Sequence, residues 1–462
     1  MPPSLPEGTK TMAKVFPFNA VLYNKKVVSK LDKVMAPPYD VISPELQNKL
    51  YERHPYNVIR LILGKEFPGD GESNNKYLRS EKFFTTWLKH GLLKEDEEPC
   101  LYVYEQKYTA LGKKLIRRGF FCLLRLEDFD RGKVMPHEET FTKPKADRLE
   151  MLRTCSANFE SIFSIFSDEK NHIDNVLKKY PRRKAAICVR DDDGVVHSLW
   201  RLDGKPDIRK VMKAMSDKMV FIADGHHRYE ASLKYRDEMR EKFQKFTGDE
   251  KYNHILMYLT PIEGKGLSIL PIHRLIKTIP DFDVPSFESA LQEYFVLETC
   301  PFGKKNEEQV RKKVIKLVGK AVEGEHFFGM LLAGVPKYYI LKLKDEKMVD
   351  KFVKDGKPKE WKRLDVTILH SMVIEHILGL TSERIDTEDH VTYVKDAGEA
   401  AKKVFAGGYQ MAFLLNATKV GQIVKIAGDK EKMPQKSTYF YPKLLSGILM
   451  NRIHMDEKVA MA

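Results

Sequence analysis

The sequence predicts an α/β or α+β fold of mixed sheets and helices, and three observations carry that prediction. Short apolar runs of strand length alternate with stretches of helical spacing from one end of the chain to the other. Apolar residues make up 42% and charged residues 31% of the 462, the balance of a chain that folds around a core. No internal repeat and no low-complexity segment interrupts the pattern, so strands and helices are mixed throughout.

Three regions follow from these patterns: an N-terminal α/β region (1–95), a central region rich in strand signals (96–280) and a C-terminal α/β region (281–462). In the first, Asn19–Tyr23 reads as a strand, and Met35–Ile42 as a fixed extended loop because Pro37 and Pro38 deny it a helix. Ser43-Pro44-Glu45 is a helix start, with a serine cap, proline at the first position and acid in the first turn. Val58–Leu63 reads as a short strand, and residues 75–93 as a helix with Phe83, Phe84, Trp87 and Leu88 on one side. In the second, Leu101–Tyr104 and Gly119–Leu124 flank a turn at Gly112 and predict a hairpin. Arg148–Leu152 reads as a short helix, and Phe159–Phe166 and Ala185–Val189 as strands. Asp191–Gly194 forms a tight turn. Lys218–Ile222 is an apolar strand running into Ala223–Arg228, and a helix is expected from Tyr229 to Lys245. Ile255–Leu259 and Leu267–Ile272 are further strands. Helix and strand patterns continue to alternate in the third region, which closes on Met433–Lys443.

Composition narrows the function classes. The net charge of +14 suits anionic partners. Much of it, however, lies in lysines of 304–320 and 344–362 with acids interleaved, which reads as a solvated face and disfavours nucleic acid. The five cysteines stand singly, without a C-x-x-C pair, against a disulfide framework or structural zinc. No apolar run reaches the ~20 residues that span a bilayer. Met1–Pro6 lacks the pattern of a signal peptide, so a cytoplasmic protein is expected.

The strongest chemical signal is a strand, then Asp224-Gly225-His226-His227-Arg228, then a helix. Gly225 permits a sharp turn and close approach of the backbone to a ligand. The helix start offers N–H groups and the positive end of a dipole, a seat for phosphate. His226, His227 and Arg228 add donors, and Arg228 has the geometry to chelate phosphate oxygens. Asp224 sets a carboxylate beside them, suited to a Mg²⁺ ion or to orienting a hydroxyl. A second cluster, Val134–Phe141, contains His137, Glu138 and Glu139. It reads equally as an acidic solvent turn or as the source of a base, Glu138, for an attacking hydroxyl. Lys436, Ser437 and Thr438 set a cation beside two hydroxyls and are candidate phosphate contacts. Tyr39 and Asp40, with His137, His273 and Arg274, are candidate pocket residues. No His-x-x-x-His spacing supports a metal held by protein alone.

Met135-Pro136-His137-Glu138 and Ile222–Arg228 resemble the two signature boxes of the ParB/sulfiredoxin superfamily, closest to those of ADP-dependent free-serine kinases. The resemblance implies a ParB/sulfiredoxin-like core in the central region, with N- and C-terminal additions. It also implies Glu138 as catalytic base, Asp224 as its acidic partner and Gly225–Arg228 as handlers of nucleotide phosphate and substrate. The expected activity is then nucleotide-dependent phosphoryl transfer to a small hydroxylated metabolite, serine being one candidate, with Mg²⁺ carried on ATP or ADP. The alternative is a nucleotide-binding regulatory or DNA-associated ParB-like module without turnover. Sulfiredoxin-like repair is disfavoured, because His226 stands where that chemistry needs a cysteine. Over nearly its whole length the chain resembles the family called domain of unknown function 1015. The matching segments are the two boxes with Ala36–Val41, Asn57–Leu61, Ile269–Arg274, Leu364–Val366 and Met433–Lys443.

Overall fold

The computed structural model describes residues 13–110, 112–140, 142–277, 279–353, 356–381 and 390–460. Met1–Pro6, on which the expectation about a signal peptide rests, and Phe141 of the acidic cluster lie outside the described residues. Helices and several sheets alternate along the chain, as the α/β or α+β class requires. The described residues divide into two compact units: those up to Ser268 together with those from Pro442 onward form one, and those within Ile269–Tyr441 the other.

The first unit is built on a nine-stranded mixed sheet. Its order is Val134–Met135, Val220–Asp224, Ile162–Phe166, His254–Pro261, Lys113–Arg125, Leu101–Ala110, Val196–Leu202 and Ile187–Arg190, with Val15–Phe16 added alongside Lys113–Arg125. The period-two alternation of the strands separates two faces. Leu101, Val103, Phe120, Cys122 and Leu124 enter an apolar core shared with Ile208, Val211 and Met215 of the Lys205–Met215 helix. On the opposite face, rings of Tyr104, Phe121, Phe163 and Tyr258 pack edge-on or tilted, with centroids 5.1–5.6 Å apart. The buried Arg117 guanidinium lies 4.4 Å over the Phe163 ring and donates to Gln106 Oε1 and the Pro442 carbonyl. A second sheet of this unit pairs Ala20–Tyr23 with Leu93–Glu95 and with Met450–Arg452, so the chain's last strand is knitted to one of its first.

The Ile269–Tyr441 unit has a six-stranded sheet in the order Phe295–Pro301, Lys337–Leu343, Phe327–Leu332, Met411–Leu414, His273–Ile276 and Val391–Val394. Val314, Val318, Ala400, Ala401 and Val404, from the Glu307–Val318 and Ala397–Phe405 helices, close its core. Among the described residues of the chain, no helix is long and apolar enough to cross a membrane.

Several local readings hold. Ser43 caps Pro44–Arg53 by accepting from the Leu46 N–H at 3.2 Å. The Gly112 hairpin forms, with longer arms than expected, Leu101–Ala110 and Lys113–Arg125. The 75–93 pattern becomes the Lys76–Lys89 helix, which buries Phe84 and Trp87. Others are corrected. Val58–Leu63 is not a strand but contains a helical turn, Ile59–Ile62, because the buried Asn57 side chain accepts from the Ile59 N–H (2.9 Å) and starts it. An apolar run buried on all sides leaves no period with which to choose between helix and strand. Arg148–Leu152 is the middle of a longer helix, Thr142–Cys155. The helix expected from Tyr229 begins at His226, so His226, His227 and Arg228 are its first turn and not a loop. The extended Met35–Ile42 segment contains one 3₁₀ turn at Tyr39–Val41.

Candidate functional site

The two signature boxes are adjacent in space. Val134–Met135 pairs in parallel with Val220–Asp224, Val134 opposite Val220 and Met135 opposite Phe221, so both boxes leave the sheet at the same end. His137 sits at that end, fully buried, its Nδ1 donating to the Ile222 carbonyl at 2.5 Å. Its backbone N–H donates to His226 Nε2 at 3.3 Å, and the two rings meet edge to face at 4.7 Å. An accepting Nε2 places the proton of His226 on Nδ1. Burial pushes the His137 imidazole down to about 4, beyond what its bond to Ile222 and the nearby Asp224 restore, so it is neutral at pH 7. Glu138 follows, half-buried, and Glu139 is exposed.

The pairing of Val220–Asp224 with Ile162–Phe166 shifts register between Ile222 and Asp224. Irregularities of this kind re-aim the side chains that follow them. Gly225 then takes φ +94°, a left-handed conformation, and the His226–Phe243 helix begins. Glycine is favoured there by conformation, and a Cβ on Gly225 would also stand 3.0–3.1 Å from the Arg228 guanidinium, which would have to shift by a few tenths of an ångström. A Gly225→Ala variant is expected to lose about 1–3 kcal/mol, seen as a lower urea midpoint. An unchanged midpoint would show that the turn relaxes without glycine.

Asp224 is clamped by two cations. Arg228 Nη2 donates to its Oδ2 at 2.9 Å, and Lys443 Nζ, from the C-terminal return of the chain, pairs with Oδ1. Burial alone would raise this carboxyl, but Lys443 and Arg228 outweigh it and hold it below the usual carboxylate range. Arg228 spends its other terminal nitrogen, Nη1, on the Ser161 carbonyl at 2.6 Å. The chelation of phosphate expected of Arg228 would therefore cost it a buried bond to Ser161 and a partly buried one to Asp224. In this arrangement it fixes Asp224.

The Pro-Pro-Tyr-Asp segment docks beside this clamp. The Tyr39 N–H and Ser446 Oγ both donate to Glu160 Oε1 at 3.0 Å. The Arg148 guanidinium lies 4.0 Å over the Tyr39 ring and 3.7 Å from Glu160 Oε2. Asp40 is exposed beside it. Arg148, Glu160 and Arg228 line one cleft with Ser232 and an apolar wall that includes Leu152 and Phe159. Sequence reasoning missed Lys443, Arg148 and Glu160. Lys443 ends the Met433–Lys443 segment, but nothing local links it to Asp224, 219 residues away.

The remaining candidates lie in the other unit. Arg274 is buried and fastened inside the protein: Nη2 donates to the Lys436 carbonyl (2.9 Å), Nη1 to the Ile272 carbonyl and Nε to His370 Nε2 (3.1 Å). His273 Nδ1 accepts from the Leu415 N–H at 3.2 Å. Ser437 is buried with its hydroxyl on the Pro434 carbonyl, Thr438 is half-buried, and Lys436 is exposed. Ile272, Arg274, Asp365 and Ser437 line one small cleft of this unit.

Among the described residues, no group of three or more His, Cys, Asp or Glu side chains is placed to hold a metal ion. Both Asp224 oxygens already meet cations. A magnesium ion fits here only when its other ligands are phosphates, its common mode of binding in nucleotide sites.

These features belong to a recognisable class. The family model described as "Protein of unknown function (DUF1015)" matches residues 15–367, and the chain belongs to that family. No curated protein matches the chain. It is similar in structure to a free serine kinase in complex with AMP (12% identity, 70% of this chain and 86% of that one, TM-score 0.32). It is also similar to a conserved hypothetical protein from Pyrococcus furiosus (13%, 71% and 92%, TM-score 0.31), and to SbnI with a C-terminal truncation from Staphylococcus aureus (10%, 71% and 85%, TM-score 0.32). Likenesses this distant define neither the chemistry nor the substrate of this chain.

Proposed function

We propose that the unit carrying both boxes is a nucleotide-dependent phosphotransferase acting on a small hydroxylated metabolite, serine being one candidate. The observation that supports the reading is a half-buried carboxylate, Asp224, held between two cations at the N-terminus of an 18-residue helix, with His137 and Glu138 delivered to the same sheet end by the parallel neighbour strand. The first-turn amides after Gly225 form the phosphate seat, supported by the helix dipole. Glu138 takes the proton of the acceptor hydroxyl as its oxygen bonds to the terminal phosphorus and the nucleotide leaves, one phosphate shorter. The His137 backbone N–H, donating to His226 Nε2, fixes His226 in the tautomer with its proton on Nδ1. Magnesium, arriving on ATP or ADP, neutralises phosphate charge.

Calorimetric titration with ATP, ADP and CTP in the presence of Mg²⁺ tests the binding step. Glu138→Gln is expected to keep nucleotide affinity within about threefold and to lose turnover by about 10²–10⁴-fold, the usual contribution of a general base. Full turnover in that variant would remove Glu138 from the chemistry. Absence of binding for all three nucleotides would remove the reading itself.

A further inference from the structure

We infer that Lys443 is a phosphate-binding residue, whose ammonium moves from Asp224 to the incoming polyphosphate; the inference rests on the nucleotide reading above. The backbone that carries it is fixed by long-range bonds. Arg117 donates to the Pro442 carbonyl, and Gln106 Nε2 to the Lys443 carbonyl at 2.9 Å. Ser446 and Ala36 exchange backbone bonds of 2.9 and 3.3 Å, and the Ser446 hydroxyl reaches Glu160. The segment therefore crosses the aromatic face of the sheet at a set height, with its lysine aimed at the residue preceding Gly225.

The two cations on Asp224 are not equivalent. Arg228 is also bonded to the Ser161 carbonyl, and moving its guanidinium would strand that buried oxygen. Lys443 carries its charge on a flexible four-carbon stem from a fixed backbone, with side-chain exposure of 13%. Of the pair, it is the one that can follow a phosphate. Asp224 parks the ammonium at the mouth of the helix N-terminus, and Arg228 remains as its partner when the lysine leaves. A lysine that acts as a mobile point charge beside backbone amides complements polyphosphate, whereas the amides alone carry only partial charge.

The test compares wild type, Lys443→Met, Lys443→Gln and Lys443→Arg by calorimetry with ADP, inorganic pyrophosphate and adenosine, alongside thermal midpoints. Lys443→Gln retains a donor for Asp224 and removes only the charge, so the measurement survives if the methionine variant fails to fold. ADP and pyrophosphate affinity are expected to fall about ten- to a hundredfold in the uncharged variants and to return within about threefold in Lys443→Arg, with adenosine affinity unchanged. Equal ADP affinity in all four proteins would overturn the inference. So would an adenosine loss as large as the ADP loss, which would mark Lys443 as a packing residue. A wild type that binds none of the three probes would overturn the nucleotide reading, and this inference with it.

Discussion

Replacing Asp224 with alanine is expected to destabilise the unit that contains it by about 3–5 kcal/mol, because the change leaves Lys443 and Arg228 facing each other without their shared counter-ion. The side chains of all three residues are at most 14% exposed, so water does little to screen the two cations. Asp224→Asn keeps the shape and one accepting oxygen and should cost less. Lys443→Gln should cost less again, since Arg228 still neutralises the carboxylate. A domain of ordinary stability has only about 5–15 kcal/mol to lose, so the alanine variant should show a greatly lowered urea midpoint. The cycle of Asp224→Asn and Lys443→Gln, singly and together, isolates the coupling between them. A loss of under about 1 kcal/mol for Asp224→Ala would mean that the cluster is hydrated and screened as a surface pair is. The clamp would then hold nothing in place.

That clamp also shows where a linear reading of the chain stops. The strand entering Asp224-Gly225 was legible because it is apolar and ends in a residue able to take positive φ. The Gly112 hairpin and the Ser43 cap were legible for the same reason: each is decided within about ten residues. The start of the helix at His226 was obscured because histidines and an arginine in a first turn look like loop residues, while their actual support comes from His137, Ser161 and Asp224. The meeting of the two boxes depends on a two-residue parallel pairing between Val134–Met135 and Val220–Phe221, which carries no local signature. Lys443 and Glu160 depend on longer-range closure still, through Arg117, Gln106 and Ser446. Local chemistry marked the segments. Only the three-dimensional pairing of distant strands determines which side chains share a site.

Acidification is expected to unfold the protein well before its carboxylates titrate. Burial pushes four imidazoles far down: His137, His254 and His273 to about 4 and His370 to about 3. For two of them the hydrogen bonds give a direct reason as well. His273 Nδ1 accepts from the Leu415 N–H and His370 Nε2 from Arg274 Nε, so neither nitrogen can take a proton without losing its donor. Their folded values lie below the ordinary ~6.5 of an unfolded chain, so between these limits the unfolded state binds more protons. Their contribution is therefore complete above about pH 6.5 and is lost as pH falls toward 4. At pH 5 the loss is about 2 kcal/mol for each fully shifted imidazole, several kcal/mol for the set. Glu160 works in the opposite direction, since burial raises its carboxyl despite Arg228 and Arg148, but it is a single group. Asp147, which its cationic partners hold at about 2 against the opposing effect of burial, and Asp224 keep their contributions until pH falls below about 4. The steep part of the stability curve should thus lie between about pH 6 and 4.5, centred midway between the unfolded and folded values. Thermal midpoints followed by circular dichroism from pH 8 to 4.5 give the curve, and imidazole proton resonances identify its source. A midpoint that stays level down to pH 5, with these resonances titrating near 6.5, would show that the four rings are open to water and that their surroundings are looser than their hydrogen bonds imply.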